Sequence, residues 1–190
     1  MFIYKNKYFL MIESIKDIDL KNIKKRNKFS IIYRNKKKLE NTTDLLNFRR
    51  FCKIKSIKFY VANNTKLAVL LNSDGLYLSA FNKSFRSLLL KKSNFKIIGS
   101  AHNLKEISLK SKQGCEMILF SKLFLVSYDK KATFLGVIRF NNYLKIYKNL
   151  IPLGGISINN LNNLNNVNCQ GFALMSEVKK KPAKIFSRLL

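Results

Sequence analysis

The chain of 190 residues is long enough to bury one substantial core, and 47% hydrophobic residues exclude a disordered chain. Lys and Arg number 37 against 10 Asp and Glu, a formal net charge of +27 that keeps a polyanion partner in view. The absence of any run of about 20 apolar residues excludes a helical membrane span, and Cys52, Cys115, Cys169 and the one histidine make no zinc-type spacing.

Short apolar runs alternate with longer amphipathic stretches along the whole chain. Residues 8–12 read as a strand, and 15–25, with Ile15, Ile18 and Ile23, as a helix. Strand 28–33 (KFSIIY) is followed by helix 43–53, with Leu45, Leu46 and Phe48 on one side. Strand 57–62 leads to a short helix over Leu67, Val69 and Leu71, strand 75–78 to a helix over 85–90, and strand 95–99 to a helix ending near Lys112. Asn103 and Glu106 open that last helix as a capping box. Strand 117–123 precedes helix 140–148. Strand 150–153 runs into Gly154-Gly155, and Ser157 caps a helix across Leu161 and Leu164. Strand 171–175 (GFALM) precedes a basic helix around Phe186.

Strand–helix alternation of this kind predicts an α/β chain with a parallel sheet, its strands apolar on both faces. Eight units suggest a compact (β/α)8 TIM barrel as a single domain over 1–190. An open doubly wound sheet fits the same pattern. At the N-terminus, residues 1–15 lack a long apolar segment and a small-residue cleavage site, so no secretory leader is expected. The odd cysteine count fits a reducing compartment. A cytoplasmic, metal-free protein is the resulting expectation.

The segment 151–176 reads IPLGGI, an Asn-rich stretch, then GFALMS. A strand ending in Gly154-Gly155 lets a ligand approach the backbone closely. A following strand ends at Met175-Ser176. In barrels of this class, the loops after the seventh and eighth strands commonly hold a phosphate on backbone N–H groups. The plainer alternative is that Gly154-Gly155 is only a tight turn.

The segments IIGSAHNLKEI at 97–107, GCEMILFSKLF at 114–124, LGVIRF at 135–140, PLGGISINN at 152–160 and GFALMS at 171–176 resemble, in order and spacing, successive blocks of thiamine-phosphate synthase and its thiazole tautomerase (TenI-like) relatives. Upstream, IIYRNK at 31–36 is similar to the family's Gln-x-Arg-x-Lys strand end, and SDGLYLSAFN at 73–82 to its Asp-Gly-x-His block. The resemblance runs from about Phe29 to Ser176 and is tighter in the C-terminal half. It implies a role in thiamine biosynthesis. The family's transferase joins a pyrimidine diphosphate to a thiazole phosphate, with Mg2+ on the diphosphate.

Carried over by position, the resemblance gives Arg34, Lys36 and Ser100 to the diphosphate, although Ile32 stands where the family has Gln. It gives Gly154, Gly155, Met175 and Ser176 to the thiazole phosphate. Lys130 would serve the family's Thr-x-Thr-Lys loop after a one-residue slip. Lys122 takes the place of the tautomerase acid/base, as a candidate base or as an anion binder. His102, at the end of the fifth strand, is a candidate ligand contact or simply a polar residue before a helix cap. Arg34 and Lys36 also read as a solvated basic turn, since Lys37 and Lys38 follow. The Mg2+ positions carry Asn63 and Asn82, although Mg2+ favours carboxylate oxygens, so the catalytic site is expected to be diverged. Asp74 lies in a turn before a strand, at the wrong end of a barrel for this purpose.

The expected partner is therefore a phosphorylated small molecule, thiazole phosphate or pyrimidine diphosphate. The alternative is a basic nucleic-acid-binding or scaffold protein on a degenerate barrel. Lys spread along the whole length, beside abundant Asn and Ile, is also the mixture of an AT-biased coding sequence.

Overall fold

The computed structural model describes residues 7–22, 28–35, 40–93, 95–126, 131–175 and 178. Its elements in chain order are β1 (Lys7–Ile12), β2 (Phe29–Tyr33), α1 (Thr42–Ile54), β3 (Lys58–Ala62), α2 (Thr65–Leu70), β4 (Gly75–Leu78), β5 (Lys96–Ala101), α3 (Leu104–Lys112), β6 (Met117–Ser121), α4 (Gly136–Ile146), β7 (Leu150–Leu153) and β8 (Gly171–Leu174). Every strand pairs in parallel with its chain neighbour, and β8 closes on β1 through Lys7↔Gly171 to Leu10↔Leu174. The fold is a (β/α)8 barrel, and the open-sheet alternative is excluded by that closure.

Alternation along each strand divides the core in two, because successive side chains point to opposite faces. Phe9, Met11, Ile32, Tyr60, Tyr77, Ile98, Leu119, Ile151 and Ala173 pack inside the barrel. Their strand neighbours, such as Leu10, Ile31, Phe59, Leu76, Ile97 and Phe120, pack outward in a second cluster that takes in Leu45 and Phe48 of α1, Ile107 of α3 and Phe140 of α4. Both faces are buried, which is why the strands read as continuous apolar runs.

The outer layer departs from the expected helices at three places. Residues 15–25 hold two short 3-10 turns, Ile15–Asp17 and Leu20–Asn22, within the described part. The Asp17 carboxylate accepts from the N–H groups of Glu13 and Ser14 at 2.8 and 3.0 Å, and Asp19 accepts from Lys21 N–H at 2.8 Å. Local side-chain bonds of this kind compete with helix propagation. Arg86–Ser93 and Ile158–Asn166 are also 3-10 segments. The second has a clear cause. Ile158, Leu161, Leu164 and Val167 recur every third residue, the 3-10 period, so all four lie on one face. The asparagines between them are poor α-helix formers.

Other boundaries shift by a few residues. β6 ends at Ser121 rather than 123, although Leu123 N–H still donates to Leu153 O at 2.9 Å. α4 starts at Gly136, four residues before the expected 140, and carries no side-chain cap. Its first turn is anchored instead by Leu135 N–H on Lys122 O and Gly136 N–H on Leu123 O, both 2.9 Å. The basic helix expected around Phe186 lies outside the described residues. Among the described residues no helix is long and apolar enough to cross a membrane.

The expected cap of α3 is present, with one change. Asn103 accepts from Glu106 N–H at 3.0 Å, but Glu106 reaches one residue further back, to His102 N–H at 2.7 Å. Burial works against the Glu106 carboxylate. The bonds from the His102 N–H and ring, and from the Asn103 amide, outweigh it and hold the carboxyl below its usual value. A depressed folded value stabilises the protein above the ordinary Glu range of about 4.3 and is lost as pH falls through the folded value. Glu106→Gln is therefore expected to melt below wild type at about pH 7, with the gap closing on acidification below about pH 4. Melting curves across that range check it.

Candidate ligand site at the barrel mouth

A cavity of about 290 Å3 opens at the carboxyl ends of the strands, lined by Arg34, His102, Ser121, Lys122, Gly154, Gly155 and Met175 among others. The lining residues come from the exits of several strands. Arg34 follows β2 and is fixed by its own N–H on Ile12 O at 2.8 Å. Lys122 follows the last residue of β6, Gly154-Gly155 follows β7, and Met175 follows β8. Apolar Val126, Leu153, Ile156 and Ala173 complete the wall.

The two glycines have a packing role besides the one expected of them. Both hold positive φ, +90° at Gly154 and +70° at Gly155, so the left-handed turn is real. A Cβ at Gly155 would not enter the cavity. It would overlap the Phe124 carbonyl and the Leu125 oxygen. A Cβ at Gly154 would sit 3.3 Å from Lys122 Cα and Cβ. The missing side chains make room for the segment after β6, which Phe124 N–H pins to Gly154 O at 3.1 Å. Glycine at these positions thus lets Lys122 and Val126 close against the β7 turn. The turn is braced from behind by Asn160, whose Nδ2 donates to Gly155 O at 2.7 Å and whose Oδ1 accepts from Ser157 N–H at 2.8 Å. Among the described residues no acceptor is paired with the N–H groups of Gly155 or Ile156. A turn with free amides beside two side-chain cations is chemically suited to an oxyanion.

Six of the ten site residues named from sequence therefore meet at one cavity: Arg34, His102, Lys122, Gly154, Gly155 and Met175. Lys36, Lys130 and Ser176 lie outside the described residues. Ser100 is buried inside the barrel and is not part of the cavity wall. Its hydroxyl bonds the Tyr77 phenol; burial pushes that phenol up, while Ser100 and the Arg34 guanidinium pull it back. His102 is half-exposed, with Nδ1 3.1 Å from Glu106 Oε2 and its ring 6.2 Å from that of Phe81. Asn160 and Ser121 were missed by sequence reasoning. The first had a signal: it is the third residue after Ser157, where a side chain returns to the cap N–H.

The residues at the expected Mg2+ positions do not fit that ion. Asn63 Oδ1 accepts from both Ser79 N–H and Asn82 Nδ2 at 3.0 Å, and Asn82 Oδ1 accepts from Ser84 N–H at 2.9 Å. The amide oxygens are engaged, and neither carries charge. Asp74 sits at the entrance of β4, 3.1 Å from Arg49 and bonded to Phe59 N–H, at the opposite end of the barrel. Among the described residues no three His, Cys, Asp or Glu side chains gather as a metal set.

Comparison with known proteins places this architecture. A family model described as thiamine monophosphate synthase matches residues 15–178. The thiamine-phosphate synthase of Clostridioides difficile (strain 630) is 23% identical over 139 residues, covering 71% of this chain and 65% of that protein. The aligned part is thus just under two thirds of the relative's length. Among solved structures, the thiamine phosphate pyrophosphorylase from Pyrococcus furiosus superposes with a TM-score of 0.73 at 16% identity over 97% of each chain. A citrate synthase variant superposes at 0.63 and 13% identity, over 97% of this chain and 91% of the other. At such identities the structural likeness speaks for the barrel alone. The family model rests on sequence, and it runs through the strand exits that carry Arg34, Lys122 and the Gly154-Gly155 turn: the chain belongs to the thiamine monophosphate synthase (TMP-TENI) family.

Proposed function

We propose that the chain binds a phosphorylated small molecule of the thiamine route, a thiazole phosphate, at the mouth of the barrel. The observation that carries this reading is the turn after β7: the Gly155 and Ile156 amides, without an acceptor among the described residues, share one cavity with Arg34 and Lys122. The cavity of about 290 Å3 is at the small end for ligand sites, which suits one phosphorylated ring. Val126, Leu153 and Ile156 offer the ring an apolar wall. A pyrimidine diphosphate is the less supported ligand, because the amides of Asn63 and Asn82 are bonded to each other. Lys122 is assigned here as an anion-binding cation rather than as a base. Condensing transferase chemistry through Mg2+ has no support from the Asn63–Asn82 pair.

Isothermal titration with a thiazole phosphate is the test. Saturable binding is expected, and Lys122→Ala is expected to weaken it about 10- to 100-fold, the worth of one charge-assisted bond. No binding at about millimolar ligand removes the reading.

A second reading is favoured by one observation. The net charge is +27, yet only three ion pairs form among the described residues, one of them involving His102. Such a surface attracts nucleic acid without sequence preference. Fluorescence anisotropy with a short RNA is expected to show binding at low salt that falls steeply as salt is raised. Binding that ignores salt, or is absent at about 50 mM salt, excludes it.

A further inference from the structure

A second, smaller cavity of about 160 Å3 lies between the exits of β3 and β4, lined by Asn63, Thr65, Asn82, Ser84, Arg86 and Ser87 with two leucines. Three features set its chemistry. Ser87 is 2% exposed, and its Oγ has no hydrogen-bond partner among the described residues. A buried hydroxyl left in this way costs about 1–3 kcal/mol, so it marks a place where a polar ligand is wanted. The exposed Arg86 lines the same cavity and makes no ion pair among the described residues. Ser84 Oγ already accepts from Arg86 N–H at 3.3 Å, which leaves its O–H to donate.

The floor is positive rather than negative. Asn63 and Asn82 close it with an amide–amide bond. Behind Asn82 stands Lys110, fully buried, whose Nζ donates to Asn82 O at 2.7 Å and Gln113 Oε1 at 2.9 Å. Gln113 Nε2 donates to Asn82 O at 3.0 Å and Ser84 O at 2.8 Å, so the loop carrying the cavity is held by a buried cation. No described carboxylate lines the cavity. A guanidinium and two serine hydroxyls line the cavity with no described carboxylate among them, a donor set suited to an oxyanion rather than a metal ion.

We propose that the exits of β3 and β4 form a metal-free subsite for an oxyanion of the phosphate or sulfate class, separate from the mouth cavity. Where the family resemblance puts Mg2+, Asn63 and Asn82 bring no carboxylate, so the subsite takes its anion without that ion.

The test is titration of the 15N-labelled full chain with inorganic phosphate, followed by amide chemical shifts. The Arg86 and Ser87 amides are expected to shift to saturation, with an apparent Kd in the range of about 1–10 mM for one small anion. EDTA and Mg2+ leave that Kd unchanged. Arg86→Ala and Ser87→Ala each weaken it about tenfold, while Lys122→Ala leaves it as in wild type. Absence of saturation at Ser87 up to about 50 mM phosphate overturns the proposal. So does an unchanged Kd in both variants, or stoichiometric Mn2+ broadening of the Asn63, Asn82 and Ser87 amides. The Gly155 and Ile156 amides report the mouth cavity independently. Saturation at Ser87 leaves the subsite standing whatever the thiazole phosphate titration gives, and saturation confined to Gly155 and Ile156 defeats the subsite alone.

Discussion

Gly155→Ala is expected to destabilise the protein by roughly 2–4 kcal/mol, combining a left-handed backbone position with overpacking. The cause is local. At φ +70° a Cβ meets the Phe124 carbonyl, and the backbone on that side has no flexible side-chain end to move away. The segment after β6 must shift, and it carries Lys122 and Val126 of the cavity wall. The same substitution is therefore expected to weaken ligand binding together with stability. Gly154→Ala gives the contrast. Its Cβ lies 3.3 Å from Lys122 Cα and Cβ, a contact that yields by a few tenths of an ångström, so its cost is the smaller. Urea unfolding of both variants checks the order. Equal midpoints for Gly155→Ala and wild type would show that the β6 and β7 exits are not packed as described.

Lys110→Met is expected to cost about 1–3 kcal/mol, although it removes a buried charge. Burial alone disfavours the Lys110 ammonium and lowers its pKa. Exchange of a charge for an apolar chain is often neutral when all its partners go with it. Here they stay. Gln113 is fully buried, and its Oε1 loses the Lys110 donor; Asn82 O keeps only Gln113 Nε2. The methylene stem also fills the space beside Gly99, where a Cβ would sit 2.9 Å from Lys110 Cδ. Lys105→Met on the exposed side of α3 is the control, expected within about 0.5 kcal/mol of wild type. Thermal unfolding of the two variants decides, and equal effects would mean that the buried bonds of Lys110 carry no weight.

The barrel was legible because its signal is apolar and periodic. Strands such as Leu150–Leu153 and Gly75–Leu78 are bounded by turns and buried on both faces, and their limits follow from sequence. Helices were legible from apolar spacing, as in α1, read as 43–53 and found at Thr42–Ile54, or from a cap. Asn103 marks α3, whereas α4 starts without a side-chain cap because its first amides bond back to the β6 exit. That long-range contact leaves no local trace. The three-residue repeat of Ile158, Leu161, Leu164 and Val167 was visible, and a stretch read as a generic helix in fact follows the 3-10 period.

For the site, sequence spacing identified which strand exits matter but not why their residues are there. Gly155 is glycine for the sake of Phe124, a neighbour 31 positions away in the chain. Lys110 reads as one surface lysine among many, since nothing local says that it turns inward. Its only trace is the spacing of three from Ile107, on the buried face of α3. The Asn63 and Asn82 substitutions were visible as missing carboxylates. Their mutual bond, and the donor-rich cavity beside it, needed coordinates.

In the proposed function the β7 turn presents its amides to a phosphate that Arg34 and Lys122 also reach. A crystal structure with a thiazole phosphate bound tests this most directly. Phosphate oxygens are expected within hydrogen-bond distance of Gly155 N–H, with the Lys122 ammonium beside them and the ring against Val126 and Leu153. A phosphate seated elsewhere on the surface, with the mouth cavity still lined as before and holding only solvent, would contradict it.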